Sequence, residues 1–78
     1  MNWKQENNKL VKTFQFNSQE KLAHFFLEVA KLSDKLDHHA DARIYNCSLI
    51  EFSIYTHTSQ HLTSKDFQLA EAIDSCAM

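Results

Sequence analysis

The stretch SLIEFSIYTH at residues 48–57 alternates apolar and polar side chains over most of its length. Ile50, Phe52 and Ile54 share one parity, while His57 falls on the opposite one. Successive side chains of a β-strand point to opposite faces of its sheet, so this alternation predicts a strand with one buried face. His57 is then predicted to point away from the core, toward open space or a partner.

The segments around this strand predict the element order ββαββα. Asparagines supply the first turn, because this residue tolerates left-handed backbone conformations, and apolar residues then recur at helical spacing. The predicted elements are a hairpin over residues 3–16 with its turn at Asn7 and Asn8, a helix capped by Asn17 or Ser18 with apolar residues up to Leu36, strands over residues 41–45 and 48–57, and a last helix beginning at Thr63 with the stripe Leu69, Ala70, Ile73 and Ala77. The simplest architecture is a single α+β domain over residues 1–78, in which two helices cover one face of an antiparallel four-stranded sheet.

The composition excludes several classes of function. The chain has 78 residues, a net charge of −2 and no glycine or proline, so it fits one small domain and lacks glycine-rich phosphate loops. The charges are mixed in sign, which argues against direct nucleic-acid binding, and no apolar run approaches the ~20 residues that span a bilayer. Cys47 and Cys76 form no disulfide framework, and the N-terminus carries no signal-like segment. The sequence therefore predicts a cytoplasmic protein with free thiols and no membrane partner.

Histidines stand at two predicted element ends. His38 and His39 are adjacent where the first helix gives way to the sheet, and His57 closes the alternating strand. Imidazole gives and takes a proton near neutral pH, so the three form a candidate acid–base site if neighbouring strands bring them together. Three exposed loop histidines are the alternative that residue types leave open. A zinc site that adds His61 is disfavoured, because no helix or knuckle fixes the spacing of these ligands, and no metal is predicted.

Asp66 has two possible roles in the last helix. It falls on the buried stripe with Ala70 and Ile73, where an acid can orient a histidine or accept a hydrogen bond from a ligand. It also stands three residues after Thr63, the spacing of a capping box that the helix dipole favours. Both roles can hold together.

Several segments match one known family in the same order along the chain. They are FQF at residues 14–16, VAKLSDKLDHH at 29–39, TH at 56–57, LTSKD at 62–66 and LAEAID at 69–74. In these segments the chain resembles the pterin-4a-carbinolamine dehydratases. The resemblance implies a ββαββα core, usually preceded by an N-terminal helix and assembled into dimers or tetramers. It also implies a reaction without a cofactor, the dehydration of 4a-hydroxy-tetrahydropterin to quinonoid dihydropterin in tetrahydrobiopterin-type cofactor recycling.

The resemblance implies roles for individual residues. His38, His39 and His57 match the active-site histidines of the family. Asp66 matches its pocket aspartate. The pterin is expected to lie against a set of residues near these histidines, namely Asp37, Ala40, Thr56, Thr58 and Asp66.

The chain also departs from the family pattern. Most members have proline in place of Ala40 and an aromatic residue in place of Ala42. Residues 58–61 replace the glycine-containing loop of the family, and the family's N-terminal helix has no counterpart before Trp3. These departures favour a second hypothesis, a non-catalytic oligomerisation or protein-binding module of the same fold. Either hypothesis predicts a homodimer or homotetramer, since so small a chain with six phenylalanines is expected to share apolar surface between copies.

Overall fold

The computed structural model describes residues 2–56 and 61–77, and it confirms the α+β fold and the order ββαββα. The elements are β1 (Lys4–Glu6), β2 (Lys9–Gln15), α1 (Gln19–Leu36), β3 (Asp41–Tyr45), β4 (Leu49–Ile54) and α2 (Ser64–Cys76). The described strands form a four-stranded antiparallel sheet in the order β1-β2-β4-β3. The alternating segment that predicted the fold therefore occupies a central strand.

The alternation of β4 sets the position of the core. Its residues Ile50, Phe52 and Ile54 are buried on the face that the helices cover. Leu10 of β2 lies directly opposite Ile54 in the sheet and is also fully buried. The helices add their apolar stripes to the same cluster, with Leu22, Phe25 and Val29 from α1 and Leu69, Ala70 and Ile73 from α2. This packing fixes the face that α2 turns inward, and it places Asp66, one helical turn before Ala70, in the interior.

Three apolar residues that recur at helical spacing, at Phe26, Leu36 and Ala77, are more exposed than this spacing indicates. Phe26 and Leu36 keep exposures of 39% and 37%, and Ala77 is exposed as well. The ring of Phe26 lies 6.3 Å from that of Phe52, measured between ring centroids. Leu36 is the last residue of α1, and Ala77 follows the last residue of α2, so both stand at helix ends.

The chain reverses direction without glycine. Asn7 and Asn8 have φ values of 52° and 62°, and Asn46 and Cys47 have values of 49° and 57°. Tight hairpin turns require such left-handed residues, and asparagine accepts this conformation more readily than most side chains. The predicted Asn7–Asn8 turn is confirmed. Asp37, with φ 54°, is the left-handed residue that ends α1.

The C-terminal half of α2 is tied to the sheet through Asp74. Nζ of Lys12 in β2 is 2.7 Å from Oδ1 of Asp74, and Nε1 of Trp3 donates to the same carboxylate at 3.1 Å. Both partners of the ion pair are partly shielded, with side-chain exposures of 20% for Lys12 and 33% for Asp74. These contacts fix α2 against the hairpin, and with it the position of its N-terminal end beside α1.

Candidate functional site

The last turn of α1 determines where His38 points. Because Asp37 is left-handed, the backbone N–H of His38 can donate to the carbonyl of Ser33, at 3.1 Å. This turn directs His38 toward α2, where its Nε2 lies 2.7 Å from Oδ1 of Asp66. The His38 side chain is 14% exposed, and that of Asp66 is fully buried. Asp66 therefore has a histidine partner, as one of its two predicted roles requires.

The second oxygen of Asp66 joins two further segments of the chain. Oδ2 accepts the backbone N–H of Thr63 at 2.8 Å and the hydroxyl of Thr56 at 2.9 Å. Thr63 is the N-cap of α2 and forms the predicted capping box with Asp66. Thr56 follows the end of β4. One buried carboxylate thus holds together the end of α1, the end of β4 and the start of α2.

The Asp66 carboxyl has a pKa below its ordinary value. Burial alone raises this pKa, because it penalises the charged form. Hydrogen bonds from the Thr63 N–H, His38 and Thr56, together with electrostatic attraction to His38, favour the carboxylate and outweigh the burial. An ionised carboxylate only accepts hydrogen bonds, so the proton between the two side chains sits on Nε2 of His38. Nδ1 is then the ring nitrogen through which His38 can exchange a proton with a ligand.

The lowered pKa of Asp66 predicts a loss of stability in acid. A carboxyl whose folded-state pKa lies below its ordinary value of 3.8 stabilises the fold fully above that value. This contribution disappears as the pH falls through the lower folded-state pKa. We expect the free energy of unfolding, measured by urea denaturation, to fall more steeply in the wild type than in Asp66→Asn as the pH is lowered from 3.8 to that folded-state pKa. Parallel pH profiles for the two proteins would contradict this assignment of the charge.

The second of the adjacent histidines lies in a different environment. Nε2 of His39 is 2.8 Å from Oδ1 of Asp34, and the two side chains are 58% and 79% exposed. His39 and the partly buried Ala40 line a cleft of about 80 Å³ beside α1, whose floor includes Phe52. The structure therefore directs His38 inward to Asp66 and His39 outward to α1. The side chain of Asp37, between α1 and this pair, is exposed.

Two residues of the predicted site, His57 and Thr58, lie outside the described residues. Asp34 was not expected from the sequence, although it stands five residues before its partner His39. The hydroxyl of Thr63 was also not singled out, since the capping pattern accounted for that residue at the sequence level.

Other structural observations bear on the alternatives. Within residues 2–56 and 61–77, no group of three or more metal-ligating side chains is assembled, and His61 lies in a separate cleft of about 390 Å³ beside the Asn7–Asn8 turn. In the same part of the chain, Cys47 and Cys76 are free thiols. Neither α1 nor α2 is long and apolar enough to cross a membrane.

Solved structures show the same fold. A transcriptional coactivator/pterin dehydratase from Brucella melitensis superposes with a TM-score of 0.91 and 20% identity, over 97% of this chain and 82% of that one. A pterin dehydratase-like protein identified as a RuBisCO assembly factor in the alpha-carboxysome gives a TM-score of 0.80, again at 20% identity, over 96% and 88% of the two chains. The chain therefore has the pterin dehydratase fold.

Sequence comparisons define the family more closely. The family profile described as Pterin 4 alpha carbinolamine dehydratase matches residues 1–76. A Sulfolobus acidocaldarius protein named "Putative pterin-4-alpha-carbinolamine dehydratase" is 40% identical over 73 residues, which cover 92% of this chain and 78% of that protein. A protein of the same name from Prochlorococcus marinus is 38% identical over 73 residues, covering 92% and 75%. The chain belongs to the pterin-4a-carbinolamine dehydratase family.

Proposed function

We propose that the protein dehydrates 4a-hydroxy-tetrahydropterins to quinonoid dihydropterins by histidine acid–base catalysis. The observation that carries this proposal is the 2.7 Å contact between His38 and the fully buried Asp66. A buried carboxylate that fixes the tautomer of a neighbouring histidine prepares the imidazole for proton transfer. The contact joins two residues that the family resemblance assigns to the active site.

The reaction needs one acid and one base, and no electrons are transferred. The bond between C4a and the hydroxyl oxygen breaks, the oxygen leaves as water with a proton from the acid, and a ring N–H proton passes to the base. His38 is suited to be the base, because Asp66 holds its Nε2 proton and leaves Nδ1 to accept one. His39 and His57 are the candidate acids. Since these groups account for both proton transfers and no electrons are exchanged, the proposed reaction needs no cofactor.

The substrate contacts follow from the family resemblance together with the position of the histidines. A carboxylate such as that of Asp37 can accept two hydrogen bonds from the amino-pyrimidine edge of a pterin. Ala40 lines the cleft beside His39, in place of the proline common in the family. The proposed pterin site comprises Asp37, Ala40, Thr56, Thr58 and Asp66, and its proposed role is tetrahydrobiopterin-type cofactor recycling in the cytoplasm.

A second candidate function is a non-catalytic oligomerisation or protein-binding module. Large apolar side chains remain exposed on α1 and β3, with values of 51% for Leu27 and 48% for Ile44. Strand β3 is also an edge of the described sheet. Apolar surface beside an open edge favours association with another chain, either a second copy in a homodimer or homotetramer or a different protein.

Measuring the dehydration rate of 4a-hydroxy-tetrahydropterin in the presence of the protein separates the two functions. We expect the wild type to exceed the spontaneous rate clearly and the His57→Ala variant to lose this acceleration while remaining folded. Calorimetric titration with a pterin that does not react provides a second readout. A folded wild type that neither accelerates the reaction nor binds the pterin would overturn the dehydratase proposal and favour the binding module.

A further inference from the structure

We infer that the hydroxyls of Thr56 and Thr63 form a positioning pair that fixes the carboxylate of Asp66 and, through it, the imidazole of His38. This inference rests on the proposed function for its catalytic consequence. It also changes the role of Thr56, which the family resemblance alone places against the pterin. The Thr56 hydroxyl is instead engaged within the protein.

The number of available protons sets the direction of these hydrogen bonds. Each threonine hydroxyl carries one proton, and the ionised carboxylate of Asp66 carries none. Oγ1 of Thr56 is 2.9 Å from Oδ2 of Asp66, whereas Oγ1 of Thr63 is 3.0 Å from Oγ1 of Thr56 and 3.3 Å from that carboxylate oxygen. If Thr63 donates to Thr56 and Thr56 donates to Asp66, each of the two shorter distances, 3.0 Å and 2.9 Å, corresponds to one hydrogen bond. In that arrangement the Thr56 hydroxyl has no proton left to donate to a substrate.

This chain of hydrogen bonds from Thr63 through Thr56 determines how the Asp66 carboxylate is oriented. Oδ2 is held by the Thr56 hydroxyl and by the Thr63 N–H at 2.8 Å, so Oδ1 is the oxygen that meets His38 at 2.7 Å. Asp66 is fully buried, and water does not compete for these bonds. Hydrogen bonds in such a chain strengthen one another in a low-dielectric interior. Loss of either hydroxyl is therefore expected to loosen the histidine at the other end of the network.

Valine and serine variants at both positions test the positioning pair. Valine keeps the shape of threonine without the hydroxyl, and serine keeps the hydroxyl without the methyl group. The first readout is the ¹⁵N chemical shifts of the His38 imidazole in substrate-free protein. We expect the Nε2–H tautomer in the wild type, Thr56→Ser and Thr63→Ser, and a mixture of tautomers in Thr56→Val and Thr63→Val.

The second readout is the steady-state kinetics of dehydration. A loosened base lowers kcat by about tenfold and leaves KM within about twofold, and the serine variants recover the rate. Thr13→Val, an exposed position on β2, serves as the matched control and should match the wild type in both readouts. If loss of the N-cap hydroxyl unfolds Thr63→Val in thermal melts, Thr56→Val carries the test, because Thr56 lies outside both helices.

The outcomes separate this inference from the proposed function. An inactive wild type whose valine variants still change the His38 tautomer would overturn the dehydratase assignment and uphold the positioning pair. A raised KM with unchanged kcat and an unchanged tautomer in Thr56→Val would place this hydroxyl against the substrate and overturn the inference. Serine variants as impaired as the valine variants would overturn it too.

Discussion

His38→Gln is expected to lower the rate of pterin dehydration by about a hundredfold or more, the usual contribution of a positioned acid–base group. A glutamine amide can still donate a hydrogen bond to Asp66, but it cannot accept and release a proton near neutral pH. The buried carboxylate thus keeps a donor, and the variant should remain folded. The measurement is the initial rate under single-turnover conditions, with circular dichroism as the check on folding.

The matched control for this substitution is His24→Gln. His24 is an exposed histidine on α1, away from the Asp66 network, and its replacement should leave the rate within about twofold of the wild type. An unchanged rate in the His38→Gln variant would exclude His38 as the base. Equal losses in both variants would point to a general effect of removing a histidine and contradict the assignment as well.

Asp66→Ala is expected to be the most destabilising substitution in the site, by about 3 kcal/mol, because it removes a fully buried acceptor that three partly buried donors share. The Thr63 N–H, the Thr56 hydroxyl and the His38 imidazole all bond to this carboxylate. For a domain of this size such a loss lowers Tm by roughly 15 °C. Differential scanning calorimetry measures the change directly.

Asp34→Ala provides the comparison that isolates burial as the cause. The pair of Asp34 with His39 is almost as short, at 2.8 Å against 2.7 Å for Asp66 with His38. Asp34 is 79% exposed, however, whereas Asp66 is fully buried. Water replaces the lost contact at an exposed site, so Asp34→Ala should cost well under 1 kcal/mol. Similar Tm losses for the two variants would show that burial does not set the strength of these pairs.

Much of the fold could be predicted because its signals are local. The alternation at Ile50, Phe52 and Ile54 predicts a strand from the two-residue period alone. Asn7 and Asn8 predict a turn because asparagine tolerates the left-handed backbone conformation. The helix starts are equally local, since a cap interacts with residues three positions away. These elements depend on neighbours in sequence, and they appear in the structure within a few residues of their predicted ends.

The candidate site was less accessible to prediction because its contacts join distant parts of the chain. The contact of His38 with Asp66 spans 28 positions and depends on the packing of α2 against α1. It also depends on the left-handed backbone of Asp37, which no periodicity predicted. The different directions of His38 and His39 have the same origin. The sequence could name these residues but could not determine which of them share an environment.

The left-handed turn at Asp37 has a consequence for substitution. It orients His38 through the helix end that precedes it, by the bond from the His38 N–H to the Ser33 carbonyl, rather than through the residues that follow. A change of the residue at Ala40, which follows both histidines, therefore leaves the bond that orients the partly buried His38 in place. The outward-facing neighbour His39 is held separately, by its contact with Asp34. The exposed pair of Asp34 with His39 can therefore tolerate substitution without displacing the shielded pair of Asp66 with His38.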